Sequence, residues 1–398
     1  MSAAVSVVIP THNRSALLGR VLQAYEGQIG SAPFELLVAD DGSTDETAGL
    51  LARQRPDRYR LRAISLRENR GPGSARNVAL AAAEAPLVLI AGDDILPSRE
   101  FVASHLAAHE RYPQTQWAIL GLTSWAEDLH VNSLMRHVDG RGAQQFGYAY
   151  LRDGQEVDFR HFYTSNISIK RTLLDGLDRW FDPDFTFPAY EDAELAYRLT
   201  LHCGLRIRFD ASARAAHSHS YGTRAFADRQ YRCGLMAAVL FRKHPELRRQ
   251  WRAERLERAR ARVSIPPVRG FLDRLHEDEI GAIEDLAIAL GSACEELDGP
   301  VVDAVYRTLL EYFALKGMLV GELGPDRARR LARALLVFGL LHYLGAFVKG
   351  PGGYRLASLA PGRDLAGIAR QYEDIRRRWP RGLRWLALAP VRALIPTP

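Results

Sequence analysis

Apolar runs and helix-spaced patterns alternate through the first half of the chain. Short apolar runs predict buried strands. They occupy Val5–Ile9, Phe34–Ala39, Leu61–Leu66, Leu87–Ala91, Trp117–Leu122 and Ser165–Lys170. Between them, Arg14–Tyr25 and Ser74–Ala85 show helical spacing, and Ser43 with Glu46 predicts a capping box that opens another helix. This alternation predicts an α/β fold with a mostly parallel sheet, helices on its faces, and a ligand beyond the carboxyl ends of the strands.

From about Thr223 onward the strand pattern disappears. The sequence becomes rich in Arg, Leu and Ala and predicts helices. These helices are interrupted near residues 265–267, 298–300, 324–325 and 350–353, where proline or glycine residues cluster. We therefore expect an α/β domain over residues 1–235 and an α-helical C-terminal domain over residues 236–398, with the boundary falling between 220 and 265.

Composition excludes several classes of protein. The chain is 47% hydrophobic and 25% charged, which argues against intrinsic disorder. Its formal charge of +6 is small for 398 residues and does not indicate nucleic-acid binding. Three widely spaced cysteines without a C-x-x-C motif argue against a disulfide framework or a zinc site and favour a reducing cytoplasm.

Membrane attachment stays open at this stage. The first residues lack a signal-peptide pattern. The longest stretch without charged residues near the C-terminus, residues 334–348, is shorter than the ~20 residues that span a bilayer. A basic run at 242–262 and a Trp-, Leu- and Arg-rich segment at 381–394 fit either a packed helical bundle or a membrane surface. We expect a cytoplasmic protein, with peripheral contact at the inner face of the membrane as an open alternative.

Acidic pairs lie at or near predicted strand ends. Asp41 belongs to the hexapeptide DDGSTD after the second strand, and Asp93-Asp94 follow the strand LVLIA. Adjacent carboxylates suit Mg²⁺ or Mn²⁺, whereas Asp41 can accept hydrogen bonds from a base or a ribose. Glu191-Asp192 begin a predicted helix that Gly204 ends, and an ionised Asp192 there suits a general base. Turns and helix caps are the alternative interpretation of each pair.

Two arginines flank a glycine-rich loop that precedes an Ala-rich helix. Arg70 and Arg76 lie on either side of Gly71-Pro72-Gly73. Guanidinium groups at this place can reach phosphate oxygens.

The motifs, taken in order, resemble glycosyltransferase family 2. They are VSVVIPTHNR, DDGSTD, NRGPGSARNVAL followed by LVLIAGDD, and YEDAELAYRL, and the resemblance covers residues 4–222. It implies the GT-A fold, with a nucleotide-binding half-sheet joined to an acceptor half. It also implies an inverting transfer of sugar from a nucleoside-diphosphate donor, expected to be a UDP-sugar, to a hydroxyl acceptor.

The resemblance also implies roles for particular residues. The expected nucleotide-binding residues, including those argued above, are Pro10, Thr11, Asn13, Arg14, Asp41, Arg70, Arg76 and Asp93. Asp192 corresponds to the catalytic base, with Glu191 as the alternative. Asp94 is the expected direct ligand of Mn²⁺ or Mg²⁺, and His217 or His219 would complete the metal shell. Family members often carry a further acid where this chain has Ala91-Gly92, so the number of metal ligands stays open.

Several partners and alternative functions remain open on the sequence alone. The acceptor is expected to be a glycan, a lipid-linked compound or a protein in the synthesis of cell-surface polysaccharide or glycoconjugate, and oligomerisation is undecided. A non-catalytic nucleotide-sugar-binding scaffold and a sugar-phosphate nucleotidylyltransferase are the alternatives. The retained Asp41, Asp94 and Asp192 argue against a scaffold. The lack of glycine in PTHNR argues against a nucleotidylyltransferase, which would usually carry a Gly-rich phosphate loop there.

Overall fold

The chain forms two compact units in the computed structural model. The described residues are 2–249, 266–341, 344 and 365–378. The first unit, here the α/β unit, comprises Met1–His130 and Gln145–Ser220. The second, the helical unit, comprises Val131–Gln144 and Tyr221–Pro398.

The α/β unit is built on one mixed sheet. Its strands are β1 Val5–Thr11, β2 Phe34–Asp40, β3 Arg60–Ser65, β4 Leu87–Ala91, β5 Ile95–Pro97, β6 Trp117–Trp125, β7 Glu156–Val157, β8 Asn166–Lys170 and β9 Arg206–His217. The strand order is β3-β2-β1-β4-β8-β6-β9-β5, and β7 pairs with β9. Strands β3, β2, β1 and β4 run parallel, whereas β8 is antiparallel to β4 and β6.

Helices flank this sheet and make up most of the helical unit. They are α1 Ser15–Glu26, α2 Thr47–Arg53, α3 Pro72–Ala82, α4 Phe101–Arg111, α5 Ser133–Asp139, α6 Arg171–Leu174, α7 Glu191–Cys203, α8 Thr223–Lys243, α9 Pro266–Arg274, α10 Glu277–Ala293, α11 Pro300–Leu323, α12 Pro325–Leu335 and α13 Leu365–Arg378. Short 3₁₀ turns occupy Tyr148–Tyr150, Phe159–His161 and Pro245–Arg249, and a π-helical turn occupies Leu336–Leu341.

Both faces of the central strands are buried. All seven residues of β1 and of β2 are buried. Alternate side chains point to opposite faces, so Val8 and Leu37 enter one core cluster and Val7 and Leu36 enter the other. Strands covered on both faces read as continuous apolar runs, which is why these strands are visible in the sequence. The mixed sheet with flanking helices, followed by a helical region, confirms the expected fold class.

The antiparallel part of the sheet was only partly predicted from the sequence. Strands β5, β7 and β9 were not predicted. β9 does alternate, with Ile207 and Phe209 buried and Arg206 exposed. Its pairing with β6 changes register between Gly121 and Leu122, and such an irregularity breaks the period-two pattern on which the prediction depends.

In the helical unit, prolines and glycines determine where helices begin and how closely they pack. Helices α9, α11 and α12 begin at prolines, as the interruptions predicted. Helices α8 and α11 pack through glycines: a Cβ on Gly317 would lie 1.9 Å from the carbonyl oxygen of Tyr231, and one on Gly234 would lie 2.1 Å from that of Ala314. The two helix backbones therefore approach more closely than side chains would allow.

A segment from the middle of the α/β sequence belongs to the helical unit. Helix α5 is held there by a hydrogen bond of 2.8 Å from the Ser133 amide to the Glu295 carbonyl oxygen. Asp303 on α11 accepts from His137 Nδ1 at 3.0 Å and from Arg141 at 2.8 Å. The units divide at Ser220 and Tyr221, and position 235/236 lies inside α8.

No helix in the described ranges is long and apolar enough to cross a membrane. Most of the basic run at 242–262 and the whole segment at 381–394 lie outside the described residues.

Candidate active site

The carboxyl ends of β1, β2 and β4 bring three of the predicted motifs together. Because β1 lies between β2 and β4, the loop after β1 adjoins both DDGSTD and the Asp93-Asp94 turn. Pro10 and Thr11 are buried at the end of β1, and the Thr11 hydroxyl donates to Asp93 Oδ2 at 2.8 Å. Polar groups collected at the carboxyl edge of a parallel sheet are typical of a ligand site.

Asn13 folds the first loop onto DDGSTD. Its backbone is left-handed, with a φ of 52°, a conformation that Asn adopts more readily than most residues. Its side-chain oxygen accepts from the amides of Thr44 at 2.7 Å and Asp45 at 3.2 Å, and its own amide donates to Ser43 Oγ at 2.9 Å. The predicted capping box was therefore wrong: α2 begins later, at Thr47, and the Ser43 hydroxyl belongs to this loop contact.

Asp41 is a buried anchor for the glycine-rich loop. Its Oδ1 accepts from the Arg70 amide and its Oδ2 from the Gly71 amide, each at 2.9 Å. Gly42 and Gly71 both have positive φ, and a Cβ on Gly42 would lie 2.7 Å from the carbonyl carbon of Glu68. The Arg70 side chain is exposed and pairs with Glu68 at 2.9 Å. The carboxylate of Asp41 thus fixes the loop that leads into α3, and its expected contact with a ribose or base stays a prediction.

Arg14 bridges the paired aspartates. Its Nη1 lies 3.1 Å from Asp93 Oδ1 and 2.7 Å from Asp94 Oδ2. Burial and the adjacent Asp94 charge raise the pKa of Asp93 to about 6. Burial also opposes ionisation of Asp94, but the hydrogen bond and charge of His217, with the charge of Arg14, hold its pKa well below the usual range.

His217 contacts both Asp94 and a group of aromatic side chains. Its Nε2 lies 3.3 Å from Asp94 Oδ2, and its ring stacks on Trp125 with centroids 5.3 Å apart. Phe146 lies 6.0 Å from the His217 ring and 5.3 Å from that of Tyr163. None of these three aromatic residues was predicted from the sequence. The density of aromatic residues between 146 and 163 was the available signal.

Two side chains at the Asp93-Asp94 turn have donor atoms of the kind that bind a divalent cation. A carboxylate oxygen of Asp94 and the imidazole of His217 are donor types that Mn²⁺ accepts. Across the described residues, no three His, Cys, Asp or Glu side chains surround a common cation position. His219 is therefore not grouped with this pair, and its ring lies 6.2 Å from that of His217. Asp94 and His217 fit an ion whose other ligands are phosphate oxygens and water, provided that the Arg14 guanidinium moves away.

Helix α7 begins with the third acidic pair. Tyr190 precedes it in a left-handed conformation, with a φ of 68°, which is rare for a bulky residue. Glu191 is buried and pairs with Arg76 on α3, with Nη1 and Oε1 2.8 Å apart. Arg76 is thus occupied by a carboxylate, and its expected contact with the nucleotide stays a prediction. Glu191 lies beside the first turn of α3, since a Cβ on Gly73 would lie 3.9 Å from its Cγ.

Asp192 has a strongly perturbed carboxyl group. Burial and the neighbouring Glu191 charge raise the pKa of Asp192 to about 7. The helix start was expected to keep this group ionised near neutral pH, but desolvation outweighs the helix dipole, so the carboxyl is only partly ionised there. A pKa near the working pH is the value that favours a general base.

The sequence comparisons agree with this geometry. Residues 6–158 match the family described as Glycosyl transferase family 2. The resemblance seen in the motifs is confirmed over these residues.

The curated relatives include glycosyltransferases. Validoxylamine A glucosyltransferase of Streptomyces hygroscopicus subsp. limoneus is 34% identical over 278 residues, which are 61% of this chain and 57% of that protein. The protein of the same name from subsp. jinggangensis is 33% identical over 61% of each chain. This chain thus spans less than two thirds of these relatives.

A mannosyltransferase from Pyrobaculum calidifontis, solved with GDP-Man and Mn²⁺, is among the similar solved structures. It is 18% identical, the alignment covers 95% of this chain and 87% of that one, and the TM-score is 0.48.

Proposed function

We propose that the chain is an inverting glycosyltransferase that moves a sugar from a nucleoside-diphosphate donor, expected to be a UDP-sugar, to a hydroxyl acceptor. The observation that carries the proposal is Asp192. It is a half-buried carboxyl with a pKa of about 7, and it lies in the first turn of the helix whose Glu191 packs against the loop-to-helix turn held by Asp41. Such a transfer requires a base for the acceptor hydroxyl and a polar site for the nucleotide, and we assign both to the α/β unit.

The donor side is formed by the loops after β1, β2 and β4. Asn13 and Asp41 hold these loops in place, with Thr11 at the end of β1. Arg14 is the partly exposed cation at this edge, with 39% of its side chain accessible. A guanidinium here is suited to a diphosphate, which it can bind by paired N–H···O contacts.

The acceptor side is formed by Asp192. Its carboxylate takes the proton from the acceptor hydroxyl as that oxygen attacks the anomeric carbon from the face opposite the diphosphate. One displacement of this kind inverts the configuration and needs no covalent nucleophile. A divalent cation held by Asp94 and His217 would supply charge neutralisation for the leaving nucleotide.

The proposed acceptor carries a hydroxyl group. A relative whose name gives glucose transfer to validoxylamine A supports a hexose donor and a hydroxyl acceptor. A glycan, a lipid-linked compound and a protein hydroxyl are the acceptors we propose to screen, in the context of cell-surface polysaccharide or glycoconjugate synthesis.

The test compares two isosteric variants. Nucleotide release is measured with a panel of nucleotide-sugars and Mn²⁺, with and without acceptors. Asp192→Asn should lower kcat by ~10²–10⁴-fold and leave UDP affinity unchanged, because it removes only the base. Asp41→Asn should weaken UDP binding, measured by calorimetry, with a smaller loss of turnover at saturation. Turnover of Asp192→Asn within a few-fold of wild type would refute the base and make Glu191 the next candidate.

Binding of the cation is tested separately from turnover. Asp94→Ala should weaken Mn²⁺-dependent UDP binding in calorimetry, while UDP binding in the presence of EDTA changes less. Equal affinities of wild type and variant with Mn²⁺ present would refute the assignment of Asp94. Acceptor-dependent release of a nucleoside diphosphate separates a transferase from a scaffold, and release of pyrophosphate would identify a nucleotidylyltransferase.

A further inference from the structure

Arg76 and Glu191 form a buried ion pair beside the proposed base. Their exposed fractions are 7% and 2%, and Nη1 and Oε1 are 2.8 Å apart. Arg76 Nε and Glu191 Oε2 are both buried, and neither has a hydrogen-bond partner among the described residues. The Arg76 guanidinium also lies 5.3 Å from the centre of the Phe181 ring.

A buried ion pair contributes little net stability to the packing of two helices. Removing two charges from water costs several kcal/mol per ion, and apolar side chains of similar size often serve stability as well or better. The pair also leaves one polar atom unsatisfied on each side, which adds to the cost. Its position suggests another use, because Glu191 directly precedes Asp192 and both follow the strained Tyr190.

We propose that Arg76 is a positioning residue for Asp192, acting through Glu191: its guanidinium compensates the Glu191 charge and fixes the start of α7. This inference rests on the proposed role of Asp192 as base. It gives Arg76 a role at the acceptor side, whereas the family resemblance implied a contact with the nucleotide.

The charges around Asp192 support this division of roles. Burial and Glu191, on the same helix, raise the pKa of Asp192, whereas the Ala193 amide, Arg76 on α3 and the Thr164 amide lower it. Tyr163, in the segment before β8, is the other titratable neighbour; burial raises its pKa to about 12, so it stays neutral. Without Arg76, Glu191 would be an uncompensated charge next to the base.

A charge-neutral mutant cycle tests the proposal. The acidic limb of kcat/KM for the acceptor reports the ionisation of the base in the free enzyme. Arg76→Gln should move this limb to higher pH by about one unit, and Glu191→Gln should move it to lower pH. The double variant Arg76→Gln/Glu191→Gln should return it close to the wild-type position, because the buried site again has no unpaired charge.

A second pair on the same helix provides the matched control. Glu194 is 1% exposed, and its Oε1 lies 2.8 Å from Arg198 Nε, one turn further along α7. Glu194→Gln also breaks a buried Arg–Glu pair in this helix, but not next to Asp192. The limb should not move in this variant, so a shift common to both pairs would mean a general loosening of α7 and would overturn the proposal.

UDP affinity separates the proposal from the nucleotide contact. By calorimetry, UDP should bind Arg76→Gln within about twofold of wild type, a difference of ~0.4 kcal/mol. A large loss of affinity that the double variant does not recover would show that Arg76 binds the nucleotide. If Arg76→Gln does not fold, the double variant and Glu191→Gln still give both readouts.

The ionisation of Asp192 can also be measured without enzyme turnover. Titration of ¹³C-carboxyl-labelled aspartate, with Asp192→Asn used for assignment, follows the Asp192 proton directly. Shifts in the predicted directions would support Arg76 even if Asp192→Asn turned out catalytically silent, which would refute only the base. An unmoved Asp192 resonance in Arg76→Gln and Glu191→Gln would overturn the inference whatever the enzyme activity.

Discussion

Charges that are partly or fully buried are arranged differently at the candidate site of the α/β unit and in the helical unit. In the helical unit, opposite charges join one helix to another: the half-buried Glu284 on α10 pairs with Lys316 of α11 and also accepts from the Tyr312 hydroxyl, each at 2.5 Å. At the candidate site, like charges are adjacent in sequence, as in Asp93-Asp94 and Glu191-Asp192, and single arginines compensate them.

The difference separates charge used for packing from charge used for chemistry. Opposite charges between helices stabilise a native arrangement, because each group gains a partner. Two adjacent carboxylates in a buried place cost free energy and shift each other's pKa. Such pairs persist where a function requires them, so the α/β unit is where substitutions should change activity and the helical unit where they should change stability.

The largest effect should come from pH acting on Asp192. With a pKa of about 7, the base is ionised above that pH and protonated below it. We expect kcat/KM to approach a tenfold fall per pH unit well below the pKa, and therefore to fall ~50-fold between pH 7 and pH 5, because the base is already half protonated at pH 7. Initial rates from pH 4.5 to 9 measure this. An acidic limb near pH 4 would place Asp192 among ordinary exposed carboxyls and remove the contrast between the units.

Ionisation of Asp192 should have opposite effects on rate and on stability: it raises kcat/KM but lowers the free energy of unfolding. Its folded-state pKa is raised, so between pH ~4 and pH ~7 the native protein holds a proton that the unfolded chain has released. The contribution of Asp192 to the free energy of unfolding is therefore lost as pH rises through this window. Asp192→Asn should remove that slope in urea unfolding measured at several pH values.

A side chain added between α8 and α11 should have the next largest effect, a loss in the free energy of unfolding. In Gly317→Ala, the new methyl group would overlap the Tyr231 carbonyl oxygen. We expect the free energy of unfolding to fall by ~1–3 kcal/mol, as overpacking does elsewhere. Urea unfolding followed by circular dichroism measures the change.

Gly281 is the matched control for that substitution. It lies within α10, and a Cβ there would meet no atom within 4 Å. Gly281→Ala should therefore stabilise the protein by up to ~1 kcal/mol through helix propensity alone. A stabilising Gly317→Ala would show that α8 and α11 are not held together as closely as described.

The contact between α5 and α11 should have a smaller effect. Asp303 accepts hydrogen bonds from the buried His137 and from Arg141. Asp303→Asn keeps the size but loses the charge, so we expect a loss of about 1 kcal/mol in the free energy of unfolding. Differential scanning calorimetry measures it, and a change in kcat instead of stability would contradict the assignment of this charge to packing.

The smallest effect should come from an exposed pair on the same segment. Asp298 lies 2.9 Å from Arg136, and their side chains are 75% and 47% accessible. Asp298→Asn should change the free energy of unfolding by less than ~0.5 kcal/mol, because solvent screens the pair. An effect equal to that of Asp303→Asn would show that burial is not what distinguishes the two contacts.

Much of the parallel half of the sheet was visible in the sequence. Strands such as β1 and β2 are buried on both faces, so their residues are uniformly apolar, and the polar motifs follow directly where the strands end. The proximity of Thr11, Asp41 and Asp93 was predictable for the same reason, because parallel strands place their carboxyl ends at one edge. The helix starts at Pro300 and Pro325 were predictable because proline fits the first turn of a helix.

Other features depend on contacts between residues far apart in sequence. The placement of α5 in the helical unit depends on Glu295 and Asp303, which lie more than 150 residues further along the chain. The partner of Arg76 is 115 residues away, so no local pattern indicates that it meets Glu191 rather than a phosphate.

The chemical types at the candidate site, with their order and spacing, are set by the sequence alone. What the tertiary structure decided is their electrostatic state. A carboxylate at a helix start is expected to be ionised, yet Asp192 is desolvated and sits next to Glu191, and its pKa is about 7. Desolvation and the distance to other charges are properties of the packed chain. For that reason the acids were identified from their positions in the sequence, whereas the balance of charge that suits one of them to act as a base appeared only in the fold.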